Sequence, residues 1–354
     1  IGDTRAVILH RSLSVLLAPL LCFVLTQCTI APKAGEKPVT TALTVPKSGP
    51  LVVASNRLAQ GRPKGHSSFL LVEDNKEALD LRLALIDSAR SSLDIQLYLW
   101  QAGASSQILF DRVLRAADRG VRVRLLVDDF LFNTDERMVS AICRYHENID
   151  IRIFNPTIFR GNPIGSSAEF ILNFQHLNRR MHNKTWTADR LFTIVGGRNV
   201  HDHYFGLDEH YNFLDLDIMA AGPVVAEVSD GFDLFWNSAK AYPGALLSRR
   251  ARPEHLQEVR ESLAAALAEH RTGKLRQFPI EPKDWSRDLA RLSSLMATGR
   301  GQFLQDHPDP ELDDREVVSA LRDMTRNKTG ELIFVSPYLI PSKGAIERLR
   351  EGVE

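Results

Sequence analysis

Cysteine is scarce in this chain: Cys22, Cys28 and Cys143 are the only three among 354 residues. No zinc-ligand spacing and no disulfide framework can be built from them. An excess of one charge is also missing. Forty-four Lys and Arg balance 44 Asp and Glu. That balance disfavours nucleic acid as the main partner, although it leaves room for a local basic funnel. Long apolar runs are missing as well. The uninterrupted apolar stretch within Ser12–Cys28 falls short of the about 20 residues that a bilayer span needs. What remains is ordinary globular composition, 44% apolar and 25% charged. The length suffices for one large or two modest domains.

Arg5, His10 and Arg11 stand ahead of the short apolar stretch. Basic residues followed by such a stretch suit a secretory signal. Residues 1–29 are therefore expected to be a signal peptide, a lipoprotein signal or a short membrane anchor. Leu25-Thr26-Gln27-Cys28 is a poor version of a lipoprotein box, with Cys28 as the residue to be acylated. Residues 30–65, rich in Pro, Lys, Gly, Thr and Ser, read as a flexible linker, with order expected from about Ser68.

Glu73–Ala89 carries apolar residues at helical spacing. Leu93–Trp100 reads as a strand, Ile108–Asp118 as a helix ended by Gly120, and Val121 opens a further strand. Strand, helix, glycine, strand is a βαβ pattern, which predicts an α/β fold with a mainly parallel sheet flanked by helices. Ile151–Phe154 suits another short strand, Phe213–Ala220 alternates as a strand does, and a helix follows Gly222-Pro223. Residues 241–328 read as a connector or peripheral helical region. Glu331–Pro341 and the residues after it repeat the earlier order of strand, helix and Gly-Val. That similarity suggests an internal duplication, with residues 329–354 as the start of a second half and the remainder cut off.

The chemistry concentrates in M-H-N-K-T-W-T-A-D-R-L-F-T-I-V-G-G-R-N, Met181–Asn199. Side chains two apart on an extended backbone share a face, so His182 and Lys184 would meet one ligand. A neutral imidazole can attack phosphorus and hold it covalently. An ammonium can neutralise a non-bridging oxygen as charge develops. Asn199 can donate another hydrogen bond, and Gly196-Gly197 lets backbone approach closely. No metal or other cofactor is needed in this scheme. Asp189 could pair with a buried base or cap a turn beside Arg190, and the structural role is favoured.

The pattern His182-x-Lys184-x4-Asp189-x6-Gly196-Gly197-x-Asn199 resembles the HKD signature of the phospholipase D superfamily, with Gly197 where many members carry serine. The flanks S-L-D-I-Q-L-Y-L-W, A-A-D-R-G-V-R-V-R-L-L-V-D-D, L-N-R-R-M-H-N-K, F-L-D-L-D-I-M-A-A-G-P and F-W-N-S are similar to the bacterial cardiolipin synthase branch, most of all its C-type members. The resemblance runs from about Gly65 to Ser238 and resumes at Glu331. It implies two similar α/β halves, here residues 66–240 and a half that begins near 329, each giving one HKD motif to a shared site. It implies that His182 becomes phosphorylated, that Lys184 and Asn199 bind phosphate oxygens, and that Asp215 orients the histidine of the opposite half, with Asp217 nearly as good a candidate. The implied activity is phosphatidyl transfer from a phospholipid donor to phosphatidylglycerol at a membrane surface, and the implied partners are phospholipids, phosphatidylglycerol and phosphatidylethanolamine. The implied place is the bacterial cell membrane, peripheral or lipid-anchored, on the periplasmic side.

This sequence has one H-x-K of that kind. The second half would come from the missing C-terminal region or from a partner chain. Alternatives are a phosphodiesterase that hydrolyses phospholipid or nucleic acid by the same route, and an inactive truncated or lipid-binding remnant. His201, His203 and His210 beside Asp202 and Asp208 raise a metal reading, against which a polar loop is favoured. Asp128 and Asp129 end a strand, where parallel-sheet sites lie. Arg179 and Arg180 could face anionic headgroups. Phe130-Leu131-Phe132 could be an apolar lip or a buried turn.

Overall fold

The computed structural model describes residues 37–129, 135–157, 180–309 and 316–325, with residues 344, 346 and 347. The chain divides into two units, Ile1–Asp314 and Arg315–Glu354. The second contributes helix Glu316–Thr325. The first is built on one sheet.

Inside that sheet lies β2 (Ser92–Leu97), whose six residues are all buried. Helix α3 (Ala104–Asp118) follows and gives way at Gly120, whose φ of 90° is open to glycine at low cost. The chain then enters β3 (Arg122–Asp128) and, after α4 (Glu136–Tyr145), β4 (Ile149–Phe154). These three strands run parallel, as the βαβ spacing predicts. Ile95, Leu97, Val123, Leu125 and Ile151 are at most 3% exposed. Burying each such side chain contributes ~1.5–3 kcal/mol.

The expectation of a mainly parallel sheet is wrong. The order is β8-β4-β3-β2-β5-β6-β7-β1-β9, and only β2–β3 and β3–β4 are parallel. The other pairs, β1–β7, β1–β9, β2–β5, β4–β8, β5–β6 and β6–β7, are antiparallel. The cause is local. β5 (Thr185–Ala188) and β6 (Phe192–Gly196) are joined by a tight turn, and so short a connection can join only antiparallel strands. β7 (Asp217–Ala221) and β1 (Ser67–Val72) extend that antiparallel half. The edge strands are β8 (Ala241–Pro243) and β9 (Ala297–Gly299), so the sheet draws on residues beyond 240.

Helix α2 (Asn75–Ser88) is capped by Asp74, whose side chain accepts from the Glu77 amide. Helix α5 (Val224–Asn237) packs Phe232, Phe235 and Trp236 with Leu126 and Phe154. Helices α6 (Pro253–His270) and α7 (Ser286–Leu295) add Val259, Leu267, Leu289 and Leu292 to the main core.

Ordered structure also begins earlier than the composition suggests. Helix α1 (Pro50–Ala59) buries Leu51, Ala54 and Leu58. Ahead of it, residues 38–42 form an extended strap whose backbone is held by side chains. Arg152 donates to the Pro38 carbonyl, Arg124 to Thr40 and Arg122 to Thr41. Asn237 and Asp233 accept from the Thr40 and Ala42 amides. Those partners lie about 80 to 200 residues away along the chain, so local composition could not announce them. Residues 1–36, Phe130–Phe132, Arg179 and Glu331–Pro341 lie outside the described residues.

Candidate active site

The carboxyl ends of the three parallel strands converge on one region with the start of β5, the end of β6 and the start of β7. Thr185 pairs with Gln96 and Val195, and Gly196 pairs with Asp217. The sheet register thus brings Tyr98, Asp128, Lys184, Gly196, Gly197, Asn199, Asp215 and Asp217 to one end.

His182 and Lys184 lie just ahead of β5. The imidazole is exposed and packs one side against Tyr98, ring centroids 4.8 Å apart. Partial desolvation and then the Lys184 charge lower its pKa, so the ring is neutral at pH 7. Lys184 is buried. Its Nζ donates to the His182 carbonyl at 2.7 Å and lies 5.3 Å from the Tyr98 ring centre. Burial pushes its pKa down to about 8, while Asp215, Asp128 and Asp217 pull it upward. The ammonium remains the major form at pH 7, poised against a loss of charge.

Asn199 is buried and ties strands together. Its Oδ1 accepts from the Leu99 amide at 3.0 Å, and its Nδ2 donates to the Tyr204 hydroxyl at 3.2 Å. Asp128 fixes the approach to the histidine by accepting from the Met181 amide at 2.9 Å, with Arg180 at 3.4 Å. Arg180 also donates to the Asn155 carbonyl.

The two aspartates of F-L-D-L-D separate by environment. Asp217 is buried between Arg82, at 2.9 Å, and Arg198, at 3.3 Å. Asp215 is half-buried, and among the described residues its one hydrogen bond comes from the Leu216 amide. Desolvation, with Asp217 adding, raises its pKa. Asp215 also heads the carboxylates that act on Lys184. A Cβ on Gly197 would collide with the Asp215 carboxylate, and one on Gly196 would come within 2.7 Å of the Asp217 Cα. The glycine pair is what lets both aspartates close over the end of β6.

Asp189 does not join this group. It sits at the far end of β5, about 15 Å from Lys184 by the rise of the strand. Its carboxylate accepts from the Arg90, Ser91 and Ser92 amides at 2.7–3.1 Å. Asp189 and Arg190 both have positive φ, 53° and 56°, which shapes the β5–β6 turn. The histidine group is also apart. Asp202 is committed to Ser105 and Lys274, and His203 stacks on Tyr211. Among the described residues no three His, Cys, Asp or Glu side chains are grouped to hold a metal ion. Cys143 contacts the Ile151 carbonyl, and burial pushes its thiol up to about 12, which removes it as a nucleophile at neutral pH.

Tyr98 is the residue that the motif alone does not reveal, although it stands in the strand-end run L-Y-L-W. Its ring supports both His182 and Lys184. Tyr98→Leu is expected to raise the His182 pKa toward its ordinary value, read by NMR titration of the imidazole, and to lower kcat roughly tenfold through lost alignment. Tyr98→Phe keeps the ring and is expected to hold the titration. An unmoved titration in Tyr98→Leu would remove Tyr98 from this role.

Residues 83–236 match the family described as cardiolipin synthase, PLD-like domain. Cardiolipin synthase C of Escherichia coli is 42% identical over 182 residues, which cover 51% of this chain and 37% of that protein. An uncharacterised Helicobacter pylori protein is 29% identical over 300 residues, covering 82% of this chain and 58% of the relative. The chain thus spans little more than half, or less, of the length of these relatives. Among solved structures, NucT from Helicobacter pylori aligns with a TM-score of 0.37 at 12% identity, over 50% of this chain and 99% of that one. No helix among the described residues is long and apolar enough to cross a membrane. The motif at Met181–Asn199 lies inside that match, so residues 83–236 form a PLD-like domain of the cardiolipin synthase type, the domain of the phospholipase D superfamily.

Proposed function

We propose that this chain carries the nucleophilic half of a phosphatidyl transferase that works through a phosphohistidine at His182. The observation that carries the reading is an accessible, neutral imidazole beside a buried ammonium, His182 and Lys184, at the end of the sheet. In the first step one ring nitrogen of His182 attacks phosphorus of a phospholipid donor, and the bond to the leaving alcohol oxygen breaks. Lys184 offsets charge on the phosphoryl oxygens. The leaving oxygen takes a proton from an acid that the family resemblance assigns to a second HKD half, from the rest of the protein or from a partner chain. In the second step the hydroxyl of an acceptor lipid gives its proton to that same group, now a base, its oxygen attacks the phosphohistidine, and the P–N bond breaks to release His182. With phosphatidylglycerol as acceptor the product is cardiolipin. The similarity to cardiolipin synthase C supports transfer. Water in place of the acceptor would give hydrolysis by the same route.

The test uses the full-length protein and a donor labelled at phosphorus. Quenched samples are expected to hold acid-labile label on His182, and added alcohol is expected to divert product from phosphatidic acid to the transfer product. Turnover without label on His182 would sink the covalent route. Phosphatidic acid alone, at every acceptor concentration, would replace transfer with hydrolysis.

The rate should also follow a bell in pH. Attack needs neutral His182, so the acid limb falls below the ordinary imidazole value near 6.5, because its pKa is depressed. Phosphate stabilisation needs charged Lys184, so the alkaline limb falls as pH rises through about 8. In Lys184→Arg, whose guanidinium stays charged, the alkaline limb is expected to move upward even though the rate drops. An alkaline limb that stays near 8 in that variant would belong to another group.

A further inference from the structure

The buried arginines of this fold are spoken for. Arg82 and Arg198 pair with Asp217, Arg112 with Asp87, and Arg124 with Asp94. One exposed group is gathered at a single cavity. Arg137, Arg249, Arg250 and Arg252 line a cavity of about 620 Å³ with Ala251 and His255. Arg137 is held by Asp135 at 2.5 Å. Arg249, Arg250 and Arg252 are exposed and make no ion pair among the described residues. In a chain of zero net charge, three uncompensated guanidinium groups converging on one cavity are a local anion trap.

The loop that carries them is fixed. It leaves the edge strand β8 and is tied to α4 by Ser140, whose Oγ accepts from the Ser248 amide at 2.9 Å, and by Tyr145, whose hydroxyl reaches the Ala251 carbonyl. The Arg252 amide donates to His255 Nδ1 at 3.0 Å. That bond leaves the Nε2 proton of neutral His255 available to an acceptor. The acids close by are Asp135, Glu136, Glu254 and Glu258, of which Asp135 is committed to Arg137. Guanidinium forks match phosphate oxygens in pairs.

Position gives the cavity its meaning. Arg137 lies in the first turn of α4, which starts on the side where β3 ends, the end that carries Asp128 and the His182 site. The strap enters the fold at this same end. The Lys37 ammonium donates to the Ala241 carbonyl at 2.6 Å and to that of Ser238, and Ala241 pairs with Phe154 at the carboxyl end of β4. Lys37, the residue just before the strap, is therefore held on the catalytic side.

We propose that the arginine-lined cavity between α4 and the start of α6 docks phosphate headgroups of anionic phospholipid, separately from His182, and holds the catalytic end of the sheet against the membrane surface. The proposal rests on the reading that the substrate is phospholipid. Its test reads binding without turnover, so its failure leaves the His182 chemistry standing.

The full-length protein is mixed with vesicles of phosphatidylcholine alone or with an equal part of phosphatidylglycerol, and partition is measured by sedimentation across salt concentrations. Each basic residue near an anionic surface is worth about one factor of five in partition. Arg249→Gln with Arg250→Gln and Arg252→Gln is thus expected to lower binding to the mixed vesicles roughly 100-fold, with the salt dependence flattened and the melting temperature unchanged. Arg271→Gln with Arg287→Gln and Arg291→Gln, an equal charge change elsewhere, is expected to stay within a few-fold of the parent. Equal losses in both triple variants would make the effect one of net charge and overturn the site. Undiminished binding in the first triple variant would also overturn it. Inorganic phosphate that saturates the cavity at low concentration without displacing vesicles would assign it to free phosphate and overturn the headgroup reading.

Discussion

His182→Asn is expected to lower turnover of the full-length protein by ~10⁴-fold or more, the scale on which loss of a covalent nucleophile is felt. That corresponds to at least ~5.5 kcal/mol of lost barrier reduction. Stability should stay within ~0.5 kcal/mol, because the imidazole is exposed and its ring contact is with Tyr98 rather than the core. The split between the two readouts is the informative part. Lys184→Ala is expected to lose activity on a similar scale but also to soften the fold, since Lys184 is buried and bonded to the His182 carbonyl. The double variant should be scarcely worse in turnover than either single one, because groups that act as a unit are not additive. The checks are labelled-lipid turnover and a thermal melt on each variant. Turnover of His182→Asn within tenfold of the parent would end the phosphohistidine reading.

How much of this was legible in the sequence follows from the range of the interactions. The β2–α3–β3 unit is local. Its alternation, its helical spacing and Gly120 lie within about forty residues of each other, so periodicity alone reads it. His182, Lys184, Gly197 and Asn199 flank strands whose register sets them beside one end of the sheet. Sheet direction did not carry through. A βαβ pattern says nothing about where the next hairpin inserts, and the β5–β6 hairpin inserts between β2 and β7. Asp189 was ambiguous for a related reason. Its value lies in three amides about a hundred residues earlier, at Arg90–Ser92. The strap at residues 38–42 has a loop-like composition, yet buried Arg124 and Arg152 satisfy its carbonyls. Arginines read as surface charge in a sequence, and here they serve as long-range ties.

Asp217→Ala is expected to cost ~3–5 kcal/mol of stability, whereas Asp215→Asn costs little stability and most of its loss falls on turnover. The two positions are two residues apart and chemically identical in the sequence, so their difference is wholly environmental. Asp217 is the counter-ion shared by Arg82 and Arg198, both within 2% of full burial at the side chain. Arg198 spends its other donors on the Val72, Glu73 and Tyr204 carbonyls and on Asn75. Arg82 donates to Ala78 and lies against Phe205 and Trp186. Neither guanidinium can turn to water when the carboxylate goes. Removing one partner of a buried ion pair leaves uncompensated charge, which is the source of the ~3–5 kcal/mol, or a melting point lower by on the order of 10 °C for a domain of this size. Asp215 has no such duty. It is half-buried, and its raised pKa reports desolvation, with repulsion by Asp217 adding to it. Asparagine preserves its shape, so stability should hold within ~1 kcal/mol, while turnover falls ~10²-fold because a charge that orients a histidine or ammonium is gone. Thermal melts and lipid turnover on the pair decide between the roles. A stable, inactive Asp217→Ala beside an unstable Asp215→Asn would exchange the assignments and make Asp217 the residue that faces the reacting groups.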